Sequence, residues 1–162
     1  MKYRRLSLEE LKELEREFVL FLASQGVSND LWNQYKESKD SEVDRLLDAF
    51  SDFVFEKILT DVNYLELKKP KEMQLFKCEP DKIHLRAIVI SGESALDFTQ
   101  NQSPEDMTRL LMLSGASLKL YQAERAYRKG RNLEVFELMQ QGALISKDGG
   151  LYQTLDSLGK NN

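Results

Sequence analysis

Cysteine is almost missing from this chain. Cys78 stands alone, so no intrachain disulfide can form, and the fold has to be held by its apolar core. Long apolar runs are missing too. The longest, Phe18 to Ala23, falls far short of the roughly 20 residues that span a bilayer. Met1 to Glu17 is dense in charge and has no stretch resembling a signal peptide. These absences lead us to expect a cytoplasmic protein without a membrane partner. Nor is there a surplus of positive charge: 23 Lys and Arg stand against 27 Asp and Glu, a net charge of -4. Nucleic-acid binding draws most of its affinity from phosphate neutralisation, so this balance opposes it in general while permitting a local basic patch. No glycine loop for phosphate is present, because Gly149-Gly150 lacks both the lysine and the preceding strand. Serine-hydrolase elbows and the Glu-x-x-His of helical di-iron sites are absent as well. The sequence therefore implies no cofactor and no metal, identifies no catalytic residue, and leans away from an enzyme.

What remains is 162 residues, 41% hydrophobic and 31% charged, the composition of an ordinary globular protein. Leu6-Ser7-Leu8-Glu9-Glu10-Leu11 reads as a helix start, with Ser7 as N-cap, Glu10 closing a capping box, and Leu6 and Leu11 at the staple positions. Leu8, Leu11, Leu14, Phe18, Phe21 and Leu22 then recur at helical spacing until Gly26, which suits a left-handed C-terminal cap. A short helix from Asn29 to Glu37 follows Ser28 as cap. From Ser41 to Thr60 a longer helix places Val43, Leu46, Leu47, Phe50, Phe53, Val54 and Ile58 on one arc. Asp44, Asp48, Asp52 and Glu56 fall on the opposite one, and toward the helix end Phe55 and Leu59 break this division.

The period changes in the middle third. Val62 to Lys68, Met73 to Glu79 and Lys82 to Ser91 are short, rich in β-branched and aromatic residues, and separated by Lys69-Pro70-Lys71 and Pro80-Asp81, which predicts an antiparallel meander of three strands. From Ser103-Pro104 the helical period returns. Helices are expected at the start of that segment, from Leu118 to Lys129, from Leu133 to Gln141 and from Leu151 to Leu158, ahead of a frayed tail of Lys160, Asn161 and Asn162. Here the chain also writes one pattern twice. Met112-Leu113-Ser114-Gly115-Ala116 is echoed by Met139-Gln140-Gln141-Gly142-Ala143, and Leu120-Tyr121-Gln122 by Leu151-Tyr152-Gln153, as in stacked helical hairpins.

Ala126 to Ala143, with its Gly130 turn, Leu133-Glu134-Val135 and closing Gly142-Ala143, resembles the helix-turn-helix part of an ankyrin repeat. The Thr-Pro-Leu-His signature is absent, with Leu151-Tyr152-Gln153-Thr154 standing roughly where it belongs. Through Lys2-Tyr3-Arg4-Arg5-Leu6, Phe50-Ser51-Asp52 and Leu75-Phe76-Lys77, most of the chain is similar to an uncharacterised bacterial protein family of unknown function, which implies a stand-alone cytoplasmic protein and no particular activity.

Three groups could carry chemistry. Cys78 and His84 would be a nucleophile and its base if they shared a face. With Pro80-Asp81 as the turn, Cys78 lies opposite Ile83 and His84 opposite Lys77, which separates them; a one-residue slip would reverse this. The acidic row Asp44, Asp48, Asp52 and Glu56 could ligate a hard cation or attract a basic partner, but it reads more simply as a solvated face. Arg125, Arg128 and Lys129 share a helical face, with Arg131 in the following turn, and form the best local cationic patch. The expectation is an α+β fold in which residues 1–102 form a body of N-terminal helices packed with the antiparallel sheet. Residues 103–162 are then ankyrin-like helical hairpins docked on it, one compact unit together. The expected role is a non-enzymatic adaptor that binds a protein partner through Arg125, Arg128, Lys129 and Arg131. An enzyme with an unfamiliar site, or a nucleic-acid factor using the same patch, is the alternative.

Overall fold

The computed structural model describes residues 1–160; the tail positions Asn161 and Asn162 lie outside the described residues. Contacts divide the chain into two compact units, Met1–Thr60 and a second beginning at Asp61.

The first unit is helical. Its elements are α1 (Leu8–Glu13), α2 (Glu15–Ser24), α3 (Asn29–Glu37) and α4 (Ser41–Asp61), the last of which ends at the division. The capping box forms as the spacing predicts: Ser7 Oγ accepts from the Glu10 N–H at 3.2 Å, and Glu10 Oε2 accepts from the Ser7 N–H at 2.7 Å. The expected single first helix breaks at Leu14 (φ -104°, ψ 20°) into α1 and α2. At Gly26 (φ +75°) the chain takes the left-handed turn. The Val27 N–H reaches back to the Leu22 carbonyl and the Gly26 N–H to that of Ala23, completing a Schellman cap. Val27 and Leu22 are both buried with Leu46, and Phe18, Phe21, Leu31, Trp32 and Tyr35 pack around them. Phe50 has no exposed surface and meets Phe18 and Phe21 at ring separations of 5.0 and 5.4 Å. Along α4 the buried stripe differs from the expected arc. Phe55 and Leu59 are buried while Phe53 and Ile58 are exposed. Part of the reason is the N-terminal segment, whose Tyr3 ring and Arg4 guanidinium both lie against Phe55.

The second unit is built on a sheet of five antiparallel strands, not three: β1 (Tyr64–Lys69), β2 (Glu72–Cys78), β3 (Lys82–Ser91), β4 (Ser117–Ala126) and β5 (Leu144–Ser146), in the order β4-β3-β2-β1-β5. The helices are α5 (Pro104–Ser114), α6 (Arg131–Gln140) and α7 (Gly150–Lys160). The three-stranded meander forms close to its expected boundaries. The ankyrin-like hairpins do not form. The segment expected as a helix from Leu118 to Lys129 is mostly strand β4, and α6 runs between two strands instead of between helices. The cause is pairing. β3 is ten residues long, and β4 lies opposite it from Ser91↔Ser117 to Lys82↔Ala126, satisfying a whole edge of backbone groups that would otherwise be open. Local helix propensity is a weak prior against that. β5 does the same on a smaller scale along β1.

One sheet face carries Met73, Leu75, Ile88 and Ile90, which form a core with Leu96 and Phe98 and with Tyr152 and Leu155 of α7. The other carries the buried Leu65, Leu67, Phe76, Cys78, Ile83 and Ala87, and α6 approaches this face through Leu138. α7 starts on a tight turn: Gly149 sits at φ +65°, and a Cβ there would stand 2.5 Å from the Tyr64 ring.

Candidate functional site

The four cations expected on one helical face come from a strand, a turn and a helix start. Arg125 is near the end of β4, Arg128 and Lys129 are in the turn ahead of α6, and Arg131 is the first residue of α6. Three of the four meet at Glu134, a carboxylate only 7% exposed in the first turn of α6. Its Oε1 accepts from Arg125 Nη1 at 2.5 Å, and its Oε2 accepts from the backbone N–H groups of Arg128 and Lys129 at 2.7 and 3.1 Å. Burial by itself would raise the Glu134 carboxyl, but Arg125 and the two N–H groups outweigh it and hold it below the usual value. The Lys129 ammonium pairs with Glu137 at 2.9 Å. The Arg131 guanidinium donates to the carbonyls of Val62 and Cys78 and to the Asn132 amide oxygen, which ties the start of α6 to the chain just ahead of β1 and to the end of β2. Tyr127 donates its hydroxyl to the Glu79 carbonyl at 2.8 Å. Much of the patch therefore holds the β4–α6 turn in shape. Glu134 was not singled out in the sequence; the available signal was an acid in a helix's first turn just after Gly130, where free N–H groups collect.

β4 itself is exposed at all ten positions. It closes one end of the strand order, and among the described residues no hydrogen bond from another segment reaches its outer edge. Alternation sorts its side chains: Lys119, Tyr121, Ala123 and Arg125 share the sheet face of Phe76, Ile83 and Leu85, whereas Leu118, Leu120, Gln122 and Glu124 share the face of His84. Beside the small Ala123 a cavity of about 170 Å³ opens between the sheet and Leu138, floored by Phe76, Ile83 and Leu85 and rimmed by Arg125.

Cys78 and His84 are kept apart by the expected register, Cys78↔Ile83 and Lys77↔His84. The thiol is buried, and burial pushes it up to about 11, with Arg131 opposing part of the rise; it is a poor nucleophile. His84 lies between two carboxylates, Nε2 at 2.9 Å from Glu79 and Nδ1 at 3.1 Å from Glu124. The hydrogen bond from His84 is the main cause of a lowered Glu79 carboxyl. The two acids flank opposite sides of the ring and do not converge. Among the described residues no group of three His, Cys, Asp or Glu side chains is placed to hold a metal ion, and no helix is long and apolar enough to cross a membrane.

The acidic row on α4 is not simply a solvated face, because it seats the N-terminal segment. Asp52 accepts the backbone N–H groups of Lys2 and Tyr3 at 2.7 and 3.0 Å, and Glu56 takes the Lys2 ammonium and the Tyr3 hydroxyl. Arg5 bridges Asp44 and Asp48 at 3.0 and 2.6 Å. One residue further on, the Leu6 N–H donates to the hydroxyl of Ser51, which is fully buried and donates in turn to the Leu47 carbonyl. Two of the three segments that carried the family resemblance, Lys2 to Leu6 and Phe50 to Asp52, are thus two sides of one contact. A model built for a family of unknown function, DUF6495, matches residues 1–160. The chain belongs to this family. No curated protein and no solved structure matches it. DUF6495 has no assigned activity, so function has to be argued from the geometry just described.

Proposed function

We propose that this DUF6495 member is a non-enzymatic interaction protein, an adaptor of the bacterial cytoplasm, and that its docking element is the open edge of β4 with the turn from Tyr127 to Gly130. The observation that carries this is a ten-residue edge strand exposed along its whole length, with Leu118, Leu120 and Tyr121 uncovered. Open edges template pairing with another chain. The expected partner-binding residues keep a part in this reading: Arg125 borders the edge, and Arg128, Lys129 and Arg131 lie in or just after the turn. Their role is to orient a partner and speed encounter. A protein partner is favoured over nucleic acid because Arg125, Lys129 and Arg131 already answer acceptors within the chain, leaving less charge for phosphates.

The test is affinity capture of the tagged chain from its source cells, with and without nuclease, alongside a Leu120→Lys, Tyr121→Lys variant of unchanged circular dichroism. A stoichiometric protein that survives nuclease and is lost with the variant supports the proposal. Recovery lost with nuclease moves the role to nucleic acid, and capture indifferent to the variant removes β4 from it.

A further inference from the structure

Resting on that reading, we infer that β4 accepts an added strand from a partner protein whose segment carries acidic residues opposite Lys119 and Arg125 and a large apolar residue opposite Ala123. Residues directly opposite one another in an antiparallel pair share a sheet face, so the face of β4 that bears Lys119, Tyr121, Ala123 and Arg125 dictates every second residue of whatever pairs with it. That face has two cations and no acid among the residues of β4 itself. Arg125 gives Nη1 to Glu134 and the Ala126 carbonyl, and among the described residues its Nη2 and Nε make no hydrogen bond within the chain. Lys119 makes no ion pair among the described residues. An acid opposite each of these would find a cation able to answer it.

Between the two cations, Ala123 leaves space that its neighbours do not fill. Ala123, Leu85 and Phe76 form one row across the sheet, and the cavity of about 170 Å³ lies over that row beneath Leu138. A large apolar side chain on the added strand opposite Ala123 can lean over the alanine methyl toward Leu85. On the other face, Leu118 and Leu120 call for apolar partners, and Glu124 for a basic or hydroxyl one.

The same charges disfavour a second copy of this chain. A two-fold axis that continues the sheet through β4 brings like faces together. Lys119 and Arg125 would then meet only each other and neutral residues, and Glu124 would meet no cation on its own face of the strand. Self-pairing therefore gains nothing electrostatically, while a strand of the opposite charge pattern gains at both ends.

The probe is the peptide Asp-Lys-Phe-Thr-Val-Leu-Glu with capped ends, set antiparallel so that Asp faces Arg125, Phe faces Ala123 and Glu faces Lys119. Its control is the charge-exchanged Lys-Glu-Phe-Thr-Val-Leu-Lys. Both are titrated into the full chain by calorimetry, with amide exchange of β4 and the sedimentation state followed in parallel. We expect saturable binding of the acidic peptide, about tenfold tighter than the control, slowed exchange in β4, and weakening as salt rises. Lys119→Glu should abolish most of that preference, and Ala123→Leu, which fills the cavity, should weaken the acidic peptide while leaving the fold intact. Equal affinity for the two peptides, absence of saturable binding by either, or a dimer of the chain that protects β4 would each overturn the inference. Failure of the peptides together with β4-dependent capture from cells would refute this partner chemistry alone. Capture that ignores β4 while the peptides bind would refute the broader proposal alone.

Discussion

The two units of this protein are stabilised in different ways. In residues 1–60 much of the architecture follows from short-range signals: the capping box at Ser7 and Glu10, the Schellman turn at Gly26, and the cap at Ser28 can each be read within a handful of residues. In the sheet unit the decisive relations are distant. β4 pairs with a strand that precedes it by a whole helix, β5 joins β1 across most of the unit, and Arg131 reaches carbonyls at Val62 and Cys78. A local signal specifies an element's type where packing does not contest it. Where an open strand edge is available, the edge decides.

Substitutions can break this comparison. The largest effect is expected in the helical unit despite its local signals, because caps only mark helix ends and the aromatic core holds the helices together. Phe50→Ala should cost about 3–5 kcal/mol, read as faster amide exchange throughout residues 1–60. If exchange in α4 is unchanged, the core is not what unites these helices. In the sheet unit the counterpart is Gly149→Ala. It places a methyl against the Tyr64 ring in a left-handed conformation that L residues enter at a cost of roughly 1–2 kcal/mol, with overpacking adding about 1–3 kcal/mol. Thermal unfolding followed near Tyr64 and Tyr152 should show the combined loss.

Next in size is Glu134→Ala, which leaves two backbone N–H groups and one guanidinium without their acceptor. A loss of about 1.5–3 kcal/mol is expected, with the turn at Arg128 and Lys129 becoming protease-sensitive while α1 to α4 stay protected. Uniform destabilisation of both units would contradict their separation at Thr60.

The smallest effect sharpens the comparison through pH. Arg4, with help from the Ser7 N–H, holds Glu10 down from 4.5 to about 2. A depressed carboxyl contributes stability that is fully present above its unfolded value and is lost as pH falls through the folded one, so the contribution disappears between pH 4.5 and about 2. Both partners are more than a third exposed, which limits the effect to about 0.2–1 kcal/mol. Acid titration of the helical unit with and without Arg4→Gln measures it; identical titrations would show that the pair contributes nothing.

The legibility of the candidate site follows the same division. Cys78 and His84 fall on opposite faces in the register that a two-residue turn at Pro80-Asp81 implies, and that register is what forms. The patch from Arg125 to Arg131 was visible as a cluster of charge. Its geometry was not, because Leu118 to Ala126 is compatible with both a helical and an alternating period, and only the presence of β3 separates the two. Glu134 and Ser51 were missed for a related reason. A single acid beside four cations and a serine within an apolar arc look unremarkable until the backbone N–H groups of a distant segment arrive to be answered. The acidic row on α4 read as a solvated face because nothing in its own helix hints that Lys2 to Leu6 will lie along it.

By itself, the sequence determined the caps at Ser7, Gly26 and Ser28 in the first unit, the three-stranded meander, and the lack of any intrachain disulfide. Each of these depends on spacing and turn chemistry within a short stretch, where few conformations compete. Only the tertiary structure decided that Ser117 to Ala126 is a strand, that Arg125 and the backbone N–H groups of Arg128 and Lys129 meet one buried carboxylate, and that the N-terminal segment lies on α4. Those outcomes satisfy backbone and charged groups contributed by residues far apart in the chain, and such groups cannot show what they need until the fold brings them together.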